Sequence, residues 1–363
     1  MKRRPLAGAP KSFAGTLTMP LHSDGRAYVI AEIGANHNGD MKLARELVDA
    51  AKAGGADAAK FQSWGTGLFA RSVYEENPGL EDQVAEYAVA EGDMAQLAAY
   101  CREAGIDFAS TPCSDEELHA LDLLDPPFIK LASMDLNNDP LLRVAAEKDR
   151  PIVLSTGFAT MGEIEHALAT LESCGHHDTT LLHCIALYPP PGDDYMNLRN
   201  IEMLRDAFGY PVGFSDHTIG VEIPLAAIAL GAVVIEKHFT LDKNMEGWDH
   251  AVSADPADLA LITSAAGRIP AALGSRRRVV SDAERQQSHG MRRSVVAARP
   301  LPAGHVLSEA DVTYRRPGTG IAPNDAPRLF GRVLVQDIAA DALLSDNDLA
   351  PTAAIAPAIS DAA

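Results

Sequence analysis

Between residues 27 and 272, one pattern recurs eight times: a short apolar run ends in polar residues and an amphipathic stretch follows. The runs are Tyr28–Ile33, Ala56–Phe61, Ile106–Ser110, Pro127–Ala132, Ile152–Thr156, Thr180–Cys184, Val212–Ser215 and Val233–His238. They are short, partly β-branched or aromatic, and apolar on both faces, as strands covered on both sides must be. Residues at helical spacing lie between them, for example Leu43, Leu47, Val48 and Ala51. Further stretches of this kind fall near 81–104, 114–124, 139–148, 162–173, 198–208, 220–230 and 256–271. Gly54, Gly55, Gly105 and Gly231 sit where helices must stop. Eight strand–helix pairs in about 245 residues predict an α/β chain folded as a (β/α)8 TIM barrel. An open doubly wound sheet is the competing arrangement, but the first turn, Gly34-Ala-Asn-His-Asn-Gly39, is no dinucleotide fingerprint.

The remainder divides around this unit. Residues 1–26 form an N-terminal extension, 273–290 a polar, basic linker, 291–350 a small β-rich module and 351–363 a loose tail. With Lys+Arg 31 against Asp+Glu 50, the net charge of −19 argues against nucleic acid or an anionic membrane as partner. No apolar run reaches the roughly 20 residues of a membrane helix. The spacing of Cys101, Cys113, Cys174 and Cys184 fits neither a zinc motif nor a disulfide framework, so reduced thiols and a cytoplasmic location are expected.

A barrel carries its chemistry at the C-terminal ends of its strands. Here every strand ends in polar residues: Glu32; Lys60 and Gln62; Ser110 and Thr111; Lys130 with Ser133 and Asp135; Ser155 and Thr156; His183 with Tyr188 nearby; Ser215, Asp216 and His217; Glu236, Lys237 and His238. A lysine inside an apolar strand needs a partner. Lys60 and Lys130 can pair internally with Glu32 or Glu236, bind a phosphate and a carboxylate together with Gln62, Thr111, Ser133, Ser155 and Ser215, or form an imine as in class I aldolases. His217 and His238 end adjacent strands and can share one metal ion, with Glu32 and Asp249 as oxygen ligands or water holders. His183 reads nearly as well as a structural histidine, whereas His22, His119, His166, His176, His177, His289 and His305 read as surface residues.

Ala31-Glu-Ile-Gly-Ala-Asn-His-Asn-Gly39, Lys60-Phe-Gln62, Ser110-Thr-Pro-Cys-Ser114, Ile129-Lys-Leu-Ala-Ser133, Leu154-Ser-Thr-Gly157, Gly213-Phe-Ser-Asp-His217 and Glu236-Lys-His-Phe-Thr240 resemble the sialic acid synthases, including those for legionaminic and pseudaminic acids. The 291–350 module resembles their antifreeze-like SAF domain, a β-clip, with Arg315-Arg-Pro-Gly-Thr-Gly320 as its turn. The resemblance implies a metal-dependent transferase that condenses phosphoenolpyruvate with an acylamino sugar aldehyde, N-acetylmannosamine or a related 2-acylamino hexose. The products are a nine-carbon 2-keto-3-deoxy acid and phosphate. It further implies Mn2+ or Mg2+ on His217 and His238. Lys60, Gln62, Thr111, Lys130, Ser133, Ser155 and Ser215 contact phosphoenolpyruvate by this resemblance, and Tyr188, Asp249 and Arg316 contact the sugar. Glu32, Asp135 and Asp249 fall at its acidic catalytic positions. A domain-swapped homodimer would bring Arg316 from the other subunit. Two departures stand out: Ala186 where these synthases carry an asparagine, and Trp248 beside Asp249 where they carry Pro-Gly-Pro-Asp. A class I aldolase, a metal-dependent hydrolase or isomerase, and a sugar-binding scaffold are the rival classes.

Overall fold

A computed structural model describes residues 25–351. It separates into two units, the first ending at Gly274 and the second starting at Ser275. Residues 1–24, with His22 among them, and 352–363 lie outside the described residues.

The first unit contains β1 (Tyr28–Gly34), β2 (Ala58–Ser63), β3 (Asp107–Pro112), β4 (Ile129–Leu131), β5 (Ile152–Ser155), β6 (Thr179–Cys184), β7 (Val212–Asp216) and β8 (Val234–His238). They form one sheet in the order β3-β2-β1-β8-β7-β6-β5-β4, all neighbours parallel. β3 and β4 pack against each other and close the ring. Helices alternate with the strands: α1 (Met41–Ala53), α2 (Arg71–Glu76), α3 (Leu80–Tyr87), α4 (Glu91–Ala104), α5 (Asp115–Asp122), α6 (Asp139–Ala146), α7 (Met161–Ser173), α8 (Asn200–Phe208), α9 (Glu222–Ala229) and α10 (Pro256–Leu273). This is the expected TIM barrel. All eight predicted strands are present within a few residues of their expected limits. The helical stretch expected at 81–104 is two helices, because Ala88 and Ala90 adopt extended backbone. Glu91 and Asp93 then favour a new helix start, where carboxylates complement the helix dipole.

Strand periodicity builds the active end. Side chains two apart share a face, so each strand places an apolar residue low in the barrel and a polar one above it. Tyr28, Ile30, Ala58, Ala109, Phe128, Val153, Leu182 and Val234 form the buried inner layer. Two positions further along come Glu32, Lys60, Thr111, Lys130, Ser155, Cys184 and Glu236, which line a cavity. At the corresponding place on β7 the chain has Gly213, where a Cβ would lie 2.7 Å from Leu182 Cδ2 and 2.5 Å from the Val234 carbonyl oxygen. The layer is already full there, so glycine is required. The outward residues of the same strands, among them Val29, Ala31, Ile33, Phe61, Phe214 and Ile235, join the helices in the outer core.

The second unit opens with α11 (Asp282–Met291), which occupies the expected linker. β9 (Ser294–Ala297) and β10 (Val312–Arg315) follow as an antiparallel pair. The unit contains an internal repeat that sequence reading missed. Leu301 to Val312 and Ile338 to Leu349 match with a 37-residue offset. Each copy has a Ser-x-x-Asp capping box, Ser308 with Asp311 and Ser345 with Asp348. Gly304 (φ 86°) and Asp341 (φ 61°) occupy the same left-handed turn position, which glycine and aspartate tolerate.

Candidate active site

The inward polar residues meet in a cavity of about 330 Å3 at the C-terminal end of the barrel. Its floor holds four charges. Lys60 is ion-paired with Glu32, lies 3.7 Å from Glu236 and donates to Thr111 Oγ1 at 2.9 Å. Lys130 lies 3.8 Å from Glu236 and donates to Ser155 Oγ and the Leu131 carbonyl, both at 2.8 Å. Ser215 Oγ donates to Glu236 at 3.0 Å, and Gln62 Nε2 donates to Glu32 at 3.1 Å. Both lysines are therefore internally paired, and both also line the cavity. The two functions are compatible.

The four charges are unequal. Burial pulls Lys60 down, but Glu236 and Glu32 outweigh it and hold the ammonium above its usual range. Burial dominates at Lys130 and leaves it below its usual range. Burial would raise Glu236, yet Lys130, Lys60 and the Ser215 hydroxyl keep it ionised. Burial wins at Glu32 and, although Lys60 opposes it, pushes the carboxyl up to about 7. Glu32 is thus the floor carboxyl that takes or gives a proton near neutral pH.

His217 and His238 stand on the same wall, ring centroids 5.5 Å apart. Burial, with a smaller contribution from His238, lowers His217 to about 4. Burial and then Lys60 lower His238 to about 3. Both rings are neutral at physiological pH, the state a metal requires. His217 Nδ1 is fixed by the Ile185 carbonyl at 2.9 Å, which leaves Nε2 with its lone pair. His238 Nδ1 is buried without a hydrogen-bond partner and lies 3.7 Å from Asp249 Oδ2. Burial also raises Asp249, against the pull of His217 and His250. Among the described residues no group of three or more His, Cys, Asp and Glu side chains is arranged around one point. Two adjacent neutral imidazoles are nonetheless a donor set that suits a divalent cation. Tyr188 packs its ring 4.0 Å from that of His217.

Of the predicted residues, Glu32, Lys60, Gln62, Thr111, Lys130, Ser133, Ser155, Tyr188, Ser215, His217 and His238 line this one cavity. Asp249 stands beside His238, just outside the lining. Asp135 does not reach the cavity wall: it is buried, with Oδ1 accepting from Asn138 Nδ2 at 3.0 Å. Its other oxygen, Oδ2, is buried with no hydrogen-bond partner, and its carboxyl feels the charge of Lys130. Arg316 is exposed on the second unit. His183 is structural, its Nε2 2.7 Å from the Met196 carbonyl. His176, expected at the surface, is buried, 3.1 Å from the Asp178 carbonyl. Sequence reading placed Glu236 only as a partner for the lysines, although it joins both. It passed over Trp64, which lines the cavity and packs edge-on against Trp248 at 5.0 Å. Trp64 falls on the inward period of the loop after Gln62, a signal that was available.

The NeuB family matches residues 47–278 and the SAF domain residues 292–350. An uncharacterised protein of Methanocaldococcus jannaschii is 41% identical over 325 residues, 89% of this chain and 94% of that one. The N,N'-diacetyllegionaminic acid synthase of Campylobacter jejuni is 36% identical over 333 residues, 88% of this chain and 99% of that one. The crystal structure of N-acetylneuraminic acid synthetase from Leptospira borgpetersenii, in complex with citrate, has TM-score 0.67 and 33% identity, covering 72% of this chain and 90% of that one. The chain belongs to the NeuB family, its barrel followed by a SAF domain.

Proposed function

We propose that this enzyme condenses phosphoenolpyruvate with an acylamino sugar aldehyde, releasing phosphate and a 2-keto-3-deoxy sugar acid. The observation that carries this reading is the joining, in one cavity, of a lysine and hydroxyl floor with two neutral histidines. Lys60, Lys130, Thr111, Ser133, Ser155, Ser215 and Gln62 bind the phosphate and carboxylate of phosphoenolpyruvate, as cations and hydroxyls suit such anions. His217 and His238 would hold a divalent cation, Mn2+ or Mg2+, which would supply Lewis-acid polarisation of the aldehyde. The C2–C3 π pair forms the bond to the aldehyde carbon, the aldehyde oxygen takes a proton and becomes a hydroxyl, and C2 is left with the positive charge. Water then adds at C2 and loses a proton, for which Glu32 and Asp249 are the available carboxylates. The resulting tetrahedral carbon loses phosphate by C–O cleavage and leaves the ketone. Lys60 and Lys130 stabilise the charge on the departing phosphate. Asp135 acts from behind the wall through Asn138, holding the turn that carries Ser133. Phosphate release from phosphoenolpyruvate, assayed across 2-acylamino sugars with and without Mn2+, tests the reading. Release that requires neither sugar nor metal refutes it.

The cavity lining includes the apolar and aromatic residues Trp64, Leu68, Phe69, Met134, Phe158 and Tyr188. Trp248 and Tyr87 pack edge-on, centroids 5.1 Å apart, and Trp248 backs Trp64. Such a wall favours acyl methyls and a deoxy carbon over a hydroxylated tail. Expected is a kcat/KM for 2,4-diacylamino-6-deoxy hexoses at least tenfold above that for N-acetylmannosamine, about 1.4 kcal/mol of transition-state preference. A tenfold preference for N-acetylmannosamine overturns it.

The second unit completes the site of another subunit in a swapped homodimer, with Arg316 donating to the N-acyl carbonyl. Mixing Arg316→Ala chains with His217→Ala chains should restore partial activity, since one intact site is rebuilt per heterodimer. Isolated heterodimers without activity would count against the swap.

A further inference from the structure

β7 and β8 are paired so that Ser215 faces Glu236 and Asp216 faces Lys237. Ser215, Glu236 and His238 point into the cavity, with His217 one step past β7 on the same period. Asp216 and Lys237 therefore point outward, into the layer that Phe214 and Ile235 share with the helices. That layer is apolar along most of the strands, with Ser110 and His183 among its uncharged polar members. Here an ion pair at 2.6 Å occupies it, with side-chain exposures of 1% for Lys237 and 0% for Asp216.

Every bond of the pair ends on the segment that carries a histidine. Lys237 Nζ donates to Asp216 Oδ2 and to the Thr218 carbonyl, both at 2.6 Å. Asp216 Oδ1 accepts from Thr218 Oγ1 at 2.8 Å and from the Thr218 amide at 3.0 Å. His217 is thus bracketed: its preceding residue and its following residue are both tied to the residue before His238. A buried ion pair is a poor stabiliser, because desolvation of two charges consumes most of the attraction, and apolar replacements are often neutral or better. What apolar packing lacks is direction. Four short polar bonds set the offset and twist of two strand ends, and through them the separation of two imidazoles. His217 receives a second constraint from the Ile185 carbonyl. His238 Nδ1 has no hydrogen-bond partner, so the backbone holds most of its orientation.

We propose that Asp216 and Lys237 are positioning residues for a divalent cation site on His217 and His238, acting through the backbone and without touching the ion. This rests on the reading of those histidines as metal ligands. The geometry predicts a specific signature. Removing the pair while keeping the layer filled should loosen metal binding and spare the anion floor.

The test is Mn2+ titration of the full-length apo enzyme by calorimetry and electron paramagnetic resonance. Wild type is compared with Lys237→Met, Asp216→Asn, the double variant Asp216→Asn/Lys237→Met and His217→Ala. The double variant leaves no unpaired buried charge, so it should fold with a melting temperature close to wild type. Its Mn2+ Kd should rise 10- to 100-fold, the usual effect of losing an outer contact to a metal ligand. KM for phosphoenolpyruvate at saturating Mn2+ should stay within about twofold of wild type, and excess Mn2+ should restore most of kcat. A folded double variant with wild-type Mn2+ affinity overturns the proposal and leaves the pair as packing alone. If Lys237→Met or Asp216→Asn fails to fold, the double variant decides. Equal Mn2+ affinity in His217→Ala and wild type overturns the metal reading itself, a failure distinct from that of the positioning role.

Discussion

Replacing His217 with alanine is expected to lower kcat about a thousandfold, roughly 4 kcal/mol of lost transition-state stabilisation. The magnitude follows from what the site has to offer. The enol carbon of phosphoenolpyruvate is a weak nucleophile, so the aldehyde must be made electrophilic at close range. The lysines of the floor are already engaged with Glu32 and Glu236. The two buried imidazoles are the uncommitted donors of the cavity: His238 lacks a partner at Nδ1, and His217 uses its Nδ1 on Ile185 and keeps Nε2. Losing one leaves a single protein ligand and too weak a site. Chelation should abolish wild-type activity and Mn2+ should restore it, while the variant should not recover at the same concentration. Full activity of His217→Ala in EDTA would end the metal-dependent reading.

The second large effect concerns the two lysines and separates their roles. Lys60→Met and Lys130→Met should each raise KM for phosphoenolpyruvate by roughly 10- to 100-fold, since a charge-assisted contact is worth ~1.5–3 kcal/mol. Stability should divide them. Lys130 shares Glu236 with Lys60, so its loss leaves Glu236 one cation. Lys60 is the direct partner of Glu32, and its loss leaves a buried carboxyl without a cation in contact, a change that costs about 3–5 kcal/mol when the charge persists. Glu32, already raised to about 7, escapes part of that cost by taking a proton. Lys60→Met should therefore be the less stable variant in urea above pH 7, the difference shrinking as the pH falls and Glu32 protonates. Borohydride with phosphoenolpyruvate or pyruvate should leave no adduct on either lysine. A trapped adduct would place the enzyme among imine-forming aldolases instead.

Much of this was legible in the chain. A strand inside a barrel has a period of two, and that period runs from Ile30 to Glu32 and from Ala58 to Lys60 without interruption. The polar ends therefore pointed inward by counting. What the counting could not give is distance between strands. Glu236 and the two lysines lie far apart in sequence, and only closure of the ring brings them together. Asp135 stands in the turn beyond β4 and off the inward period of Lys130, so counting along the strand does not set where its carboxyl points. The split at Ala88 and Ala90 was hidden because alanines fit a helical pattern without demanding it. The repeat of the second unit escaped because its two short copies match in residue class, Leu301 with Ile338 and Val306 with Leu343, more than in identity.

The neutral floor has a further meaning for traffic through the site. Two ammonium groups and two carboxyl groups occupy it before any ligand arrives. An anion that docks on Lys130 competes with Glu236, and an anion that departs surrenders the lysine back to it. Entry and exit are thus an exchange of partners inside the protein, with the carboxylate serving as a built-in understudy. Such a floor never stands bare: in the proposed reaction, the same side chain that resists the arrival of phosphoenolpyruvate assists the discharge of the phosphate released from it.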